Sequence, residues 1–308
     1  IGAAEKALFE VSDKIVKSDY VPMEELLADA FDRIEELHKN KGALRGLKTG
    51  FRDLDKKTAG FQKGDLVIIG ARPAMGKTAF VLSMARNIAI TNRVPVAMFS
   101  LEMSAEQLVT RIVSSEAMID SYKLRTGELT PEDWKTMAHV SGWLSKCDIL
   151  IDDTSGMTVT AMKAKLRRVK NLGMVVIDYL GLMTGDKHTD NRVNEVADIS
   201  RNLKILAKEL NVPVICCAQL SRGPESRTDK KPMLSDLRDS GAIEQDADTV
   251  IFLYRSEYYK TDDAAGQDTS IAEVIIAKNR HGSTGTVKMG WEGQYTRFTT
   301  LDSTYEEN

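Results

Sequence analysis

The sequence predicts an α/β protein: a mostly parallel sheet with helices on both faces, followed by antiparallel strands. Two observations carry this. Between Gly60 and Tyr254, short apolar runs alternate with longer segments of helical periodicity, and a continuous apolar run is what a strand covered on both faces requires. After Tyr254 the helical segments stop, and three short alternating stretches are broken by glycines, the pattern of neighbouring strands that pair antiparallel.

In chain order, residues 1–18 read as an amphipathic helix, with Ala7, Leu8, Val11 and Ile15 on one stripe. Nothing adjacent in sequence covers that stripe, so it docks either on its own domain or on a neighbouring subunit. Residues 23–38 repeat the pattern through Met23, Leu26, Leu27, Ala30, Phe31, Ile34 and Leu37. Pro22 sits near its start and Asn40-Lys41-Gly42 ends it. Residues 1–45 thus form a helical N-terminal region, and 46–308 the main domain. Strands are expected at Leu66–Ile69, Val94–Phe99, Ile149–Ile151, Met174–Ile177, Val212–Ala218 and Val250–Tyr254, with helices around 77–90, 104–118, 131–145, 158–171 and 194–210. The late strands are 271–279, 284–290 and 295–301, broken by Gly282, Gly285 and Gly293. Thr184–Arg192 and Arg222–Leu234, rich in polar residues, read as mobile loops.

Composition bounds the function. The 308 residues fit one large domain with a small appendage, since a single core stops growing at roughly 250–300 residues. Hydrophobic residues at 42% and charged residues at 28% exclude a collagen-like, mucin-like or wholly disordered chain. No apolar stretch approaches the roughly 18 residues that span a membrane, and no signal peptide opens the chain. The first residue is Ile1, which implies that a segment precedes it. Cys147, Cys216 and Cys217 form no C-x-x-C pair, and His38, His139, His188 and His281 lie far apart. Neither a disulfide framework nor a zinc site is expected, and the compartment is a reducing cytoplasm. The net charge of −3 is matched by Asp302, Glu306 and Glu307, so the rest of the chain is neutral. Any nucleic-acid contact must then come from local loops, or from many copies of a weak site.

The strongest motif is Ala71-Arg-Pro-Ala-Met-Gly-Lys-Thr78, which follows an apolar run and opens a helix. That context defines a phosphate-binding loop, whose backbone N–H groups and helix N-terminus cradle an anion. Ala74, Met75, Gly76, Lys77, Thr78 and Ala79 are its candidate nucleotide contacts. Lys77 places a charge on the β/γ oxygens and Thr78 offers a hydroxyl to Mg²⁺. The strict pattern has Gly where this chain has Ala71, directly after Gly70. Asp178 ends the run Met174-Val-Val-Ile at the strand end that faces the same crevice, placed to hold Mg²⁺. Glu102 follows the second strand, where it either activates the attacking water or sits at the start of the 104–118 helix as a dipole-favoured carboxylate. Gln219 ends a further strand and is placed to sense the γ-phosphate. Residues 221–238 carry five basic and three acidic residues, a strand-gripping loop or a solvated one. Lys278 and Arg280 sit in Ala277-Lys-Asn-Arg-His-Gly282, either at a phosphate-contacting tip or on an exposed hairpin.

Together these residues resemble the C-terminal motor domain of the DnaB family of bacterial and phage replicative helicases. The resemblance runs through Thr49-Gly-Phe, Gly70–Phe80, Phe99-Ser-Leu-Glu-Met-Ser104, Val176-Ile-Asp-Tyr-Leu180, Ala218-Gln-Leu-Ser-Arg222, Ser235–Asp248 and Ala277–Gly282. It implies a RecA-like P-loop NTPase fold assembled as a hexameric ring that uses ATP and Mg²⁺ and unwinds duplex by tracking 5′ to 3′ on single-stranded DNA. It places residues 2–17 as the linker helix docked on the adjacent subunit. It puts Lys77, Thr78, Glu102, Asp178 and Gln219 in cis, Lys278 and Arg280 in the neighbour's site, and Arg111 on the nucleoside. DNA loops map to roughly 184–195 and 222–241, with Arg222, Arg238, Asp239 and Gly241 as DNA-binding residues; the family usually has Glu where this chain has Asp239. Primase and a helicase loader are the expected partners of the full-length protein. A ring also accounts for the neutral charge, because six modestly basic loops sum their phosphate contacts around one strand. Two rival readings are a RecA- or RadA-like recombination filament and a nucleotide-gated scaffold that does not hydrolyse. A small-molecule P-loop kinase is more distant, since no segment resembles an acceptor-binding lid.

Overall fold

The computed structural model describes residues 21–39, 45–186, 191–237, 241–259 and 269–301. The helix expected over residues 1–18 lies outside them. The chain divides into two units, Ile1–Ala43 and Leu44–Asn308. In the first, α1 (Met23–Lys39) has Glu24 and Glu25 in its first turn and His38 and Lys39 in its last, charges that complement the helix dipole. Leu26, Leu27, Phe31 and Ile34 on it are exposed.

The second unit is built on nine strands: β1 (Leu66–Ala71), β2 (Val96–Ser100), β3 (Ile149–Asp152), β4 (Met174–Asp178), β5 (Val214–Gln219), β6 (Thr249–Tyr254), β7 (Thr269–Asn279), β8 (Gly285–Glu292) and β9 (Arg297–Thr300). Their order is β3-β2-β4-β5-β1-β6-β7-β8-β9. The first six in that order run parallel and the last three pair antiparallel. Helices α2 (Arg52–Thr58), α3 (Lys77–Thr91), α4 (Ala105–Ala117), α5 (Ser121–Thr126), α6 (Pro131–Leu144), α7 (Val159–Leu166), α8 (Arg192–Leu210) and α9 (Gly241–Asp246) fill the connections.

The two faces of the sheet sort by strand alternation. From β1, Val67, Ile69 and Ala71 pack on one side with Phe80, Met84 and Ile88 of α3. Leu66 and Ile68 pack on the other with Ile199, Leu203 and Leu206 of α8. Phe80 is fully buried, stacked on Phe51 and edge-on to Phe298, each with ring centroids 5.2 Å apart. Phe80→Ala is therefore expected to lower unfolding free energy by about 3–5 kcal/mol, read as a shifted urea midpoint with an unchanged slope.

Three short helices were not foreseen. α2, α5 and α9 have six or seven residues each, too few for an apolar period to declare itself. Local capping fixes α5: Asp120 accepts from Tyr122 N at its start, and Gly127 closes it in the left-handed region. The loop expected to be mobile at Arg222–Leu234 is pinned. Arg227 bonds both oxygens of buried Asp236, Lys231 pairs with Glu273 at 2.6 Å, and Tyr254 Oη donates to the Asp229 carbonyl at 2.9 Å. Of the other expected loop, residues 187–190 lie outside the described residues, and Arg192 already begins α8.

Candidate nucleotide-binding site

The phosphate loop leaves the end of β1 and enters α3. Ala71, where the strict pattern has Gly, is simply the last residue of the strand, paired with Gln219 and Leu253. The close approach falls one residue earlier: a Cβ on Gly70 would lie 2.8 Å from the Phe252 ring. Gly76 is the indispensable glycine. Its φ is +92°, and an added Cβ would stand 3.0 Å from Phe298 and Trp291. The α3 N-terminus has no side-chain cap, leaving N–H groups for an anion. The Ala74 carbonyl accepts from Arg255 Nη1 at 3.3 Å, and the Arg255 guanidinium lies over Trp291.

A cleft of about 430 Å³ opens here, lined by Ala74, Gly76, Lys77, Thr78, Ala79, Glu102, Arg111 and Gln219. Of the expected loop contacts, Met75 differs. Its side chain is 1% exposed and belongs to the core. A loop that binds phosphate through N–H groups leaves a side chain free to fill the interior, so only the Met75 backbone is available to a ligand.

Asp178, 1% exposed, closes the floor of the site. Thr78 Oγ1 donates to its Oδ2 at 2.7 Å, and Lys77 Nζ lies 3.3 Å from its Oδ1 and 4.4 Å over the Tyr179 ring. Among the described residues, Oδ1 accepts no hydrogen bond. Burial pulls the Lys77 ammonium toward neutrality, but its acidic surroundings (Cys217, Asp178 and Glu102) outweigh this and hold it above the ordinary lysine value. Burial lowers Arg111, against the pull of Asp178 and Glu102. The Cys216 thiol on β5 is pushed up to about 12 by burial, which keeps it neutral beside this site. The Thr78 hydroxyl and the Asp178 carboxylate, one oxygen of which accepts no hydrogen bond, form a hard-oxygen pair that suits Mg²⁺.

Glu102 is not a helix cap. The N-terminus of α4 is capped by Ser104 in a capping box with Gln107, and Ala105 N donates to Asp153. Glu102 instead lines the cleft. Gln219 ends β5, the strand between β4 and β1, and lines the same cleft.

Lys278 and Arg280 do not join this cluster. They lie where β7 passes the beginning of β6, with Lys278 opposite Val250 and Val250 opposite Ile68. Three residues of strand separate Ile68 from Ala71, about 10 Å at roughly 3.3 Å per residue, and β6 lies between β7 and β1. Lys278 Nζ donates to the Glu244 carbonyl at 2.6 Å. Arg280 Nη1 bonds Asp248 Oδ1 at 3.1 Å, and Lys204 holds Oδ2. Burial would raise Asp248, yet these cations and the Leu66 N–H keep it below the usual carboxylate range. Asp65, Asp248 and His281 also converge within 4.8 Å. No spacing in the sequence reveals that group, and the two cations on Asp248 make it an ion-pair network rather than a metal centre.

Arg222 lines a second cleft, of about 870 Å³, which shares Arg72, Pro73 and Gln219 with the first. Gly241 is exposed at the start of α9. Arg238 and Asp239 lie outside the described residues. Sequence reasoning missed Arg72 as more than a loop residue, and missed Trp291 and Thr296, which line the nucleotide cleft from the late strands and carry no local motif.

A parallel sheet with a phosphate loop after β1 and an acid ending β4 defines a RecA-like P-loop ATPase. A family model described as the DnaB-like helicase C terminal domain matches residues 46–300. The replicative DNA helicase DnaC of Bacillus subtilis (strain 168) is 48% identical over 100% of this chain and 68% of its own. DnaB of Geobacillus stearothermophilus is 47% identical over 99% and 67% respectively. The chain thus spans about two thirds of these relatives. A solved ATPase domain superposes with a TM-score of 0.86 at 39% identity, covering 92% of this chain and 100% of that one. A DnaB-like replicative helicase, solved for its interactions with primase, gives 0.82 at 38% identity over 98% and 72%. The chain belongs to the DnaB-like helicase C-terminal domain family, the ATP-hydrolysing motor of replicative DNA helicases. Among the described residues, no helix is long and apolar enough to cross a membrane.

Proposed function

We propose that this chain works as the motor of a six-membered ring that translocates 5′ to 3′ on single-stranded DNA, with Mg-ATP bound at the seam between subunits. The observation that carries the seam is the separation of Arg280 and Lys278 from their own phosphate loop. Residues that suit a phosphoryl group but sit toward the opposite end of the parallel strands from their own loop serve a neighbour's nucleotide.

In this reading the loop N–H groups and Lys77 hold the phosphates, and Glu102 orients the attacking water and takes its proton. Thr78 and Asp178 would hold Mg²⁺, whose charge neutralises the phosphate oxygens. Arg111 contacts the nucleoside. Gln219 senses the γ-phosphate from the strand between Asp178 and the loop. Arg222, Arg238, Asp239 and Gly241 bind the DNA backbone, and within the linker helix and helical arm of 1–45 residues 2–17 are the helix that docks on the adjacent subunit. In the full-length protein, primase and a loader are the expected partners, and the cytoplasm is the compartment.

Light scattering of the protein with a non-hydrolysable ATP analogue and single-stranded DNA tests the ring. A discrete six-subunit mass is expected. A mass that grows without limit with concentration identifies a filament, and a monomer throughout contradicts the seam.

A further inference from the structure

Arg72 belongs to the phosphate loop, yet its side chain, 15% exposed, is engaged by the segment that follows β5. Its Nη1 donates to the Leu220 carbonyl at 2.9 Å. Its Nε and Nη2 both reach Glu225 Oε1, at 3.0 and 2.5 Å. Leu220 N returns a bond to the Ala71 carbonyl at 3.1 Å. The loop and the segment after β5 are thus fastened by a charge-assisted fork and a backbone bond; hydrogen bonds assisted by charge are the stronger class in proteins.

The fastened segment behaves as one piece. Leu220 bridges Leu237, Ser221 N donates to the Asp236 carbonyl at 2.9 Å, and Arg227 grips both oxygens of Asp236. A displacement delivered at Glu225 therefore moves residues 220–237 together instead of dissipating in a floppy loop. Arg72 also lines both clefts, as do Pro73 and Gln219, and of the three it carries the charged side chain that reaches Glu225.

We propose that the Arg72–Glu225 clasp is the coupling contact through which the phosphate loop reports nucleotide state to residues 220–237, with Arg72 and Glu225 as positioning residues. This rests on the reading above that the segment holds DNA. Coupling requires an element that both sites bias, and the clasp provides one: it shares its backbone with the nucleotide cradle at one end and with Arg222 at the other.

The test compares Glu225→Ala and the charge-retaining Glu225→Asp with the unaltered protein. In Glu225→Ala, basal ATP turnover, KM for ATP and nucleotide-free affinity for single-stranded DNA are expected to stay unchanged. The factor by which single-stranded DNA stimulates turnover falls about fivefold or more, the usual scale of allosteric coupling, and Glu225→Asp recovers part of it. Full stimulation in Glu225→Ala overturns the proposal. So does an equal loss of basal and stimulated rates, which is what a mere structural staple would give. Arg222→Ala separates the two readings: unchanged DNA affinity in that variant refutes the DNA-holding role of the segment, not the clasp.

Discussion

Lys77→Ala should eliminate ATP turnover for practical purposes, by roughly 10²- to 10³-fold or more, the cost of removing one preorganised stabiliser of developing charge. Lys77 is nearly enclosed, fixed between Asp178 and the Tyr179 ring, and its surroundings hold it charged. The change also leaves Asp178 buried without its positive neighbour, so a melting curve should accompany the assay to show that the fold survives. Turnover near that of the unaltered protein in a folded variant would remove Lys77 from the mechanism.

Arg280→Ala should have an effect as large or larger, roughly 10³- to 10⁵-fold if it acts as an arginine finger. The decisive form of the experiment is mixing. In an assembly of Lys77→Ala and Arg280→Ala subunits, a seam is intact wherever the first lends its Arg280 to the second. Two inactive preparations should therefore regain DNA-stimulated turnover when combined. Were both residues to act within one protomer, no combination would recover any activity, and the seam would be wrong. Because Arg280 is held by Asp248, its loss removes one of two cations from that buried carboxylate; Lys204 remains, which keeps the folding cost moderate.

Much of the sheet was legible because the parallel strands other than the edge strand β3 are buried on both faces and so spell themselves as unbroken apolar runs. The phosphate loop was legible for a different reason: its chemistry depends on backbone conformation, and only a glycine fits that conformation at position 76. What the sequence could not supply was adjacency. That the strand ending in Gln219 lies between those of Asp178 and the loop follows from the order β4-β5-β1, which no local pattern encodes. The Arg72–Glu225 pair joins residues 153 positions apart, and Trp291 reaches the cleft from a strand that reads as an ordinary late hairpin. Motif spacing marks the backbone participation of Met75 without saying that its side chain turns into the core.

The two outermost strands of the sheet, β3 and β9, have only four residues each. A long bare margin would invite any passing strand to anneal, whereas a stub offers too few ladder partners to hold one. Such blunt margins disfavour sideways annealing of one copy's sheet onto another's, so any contact between copies falls to the helices and loops that flank the sheet.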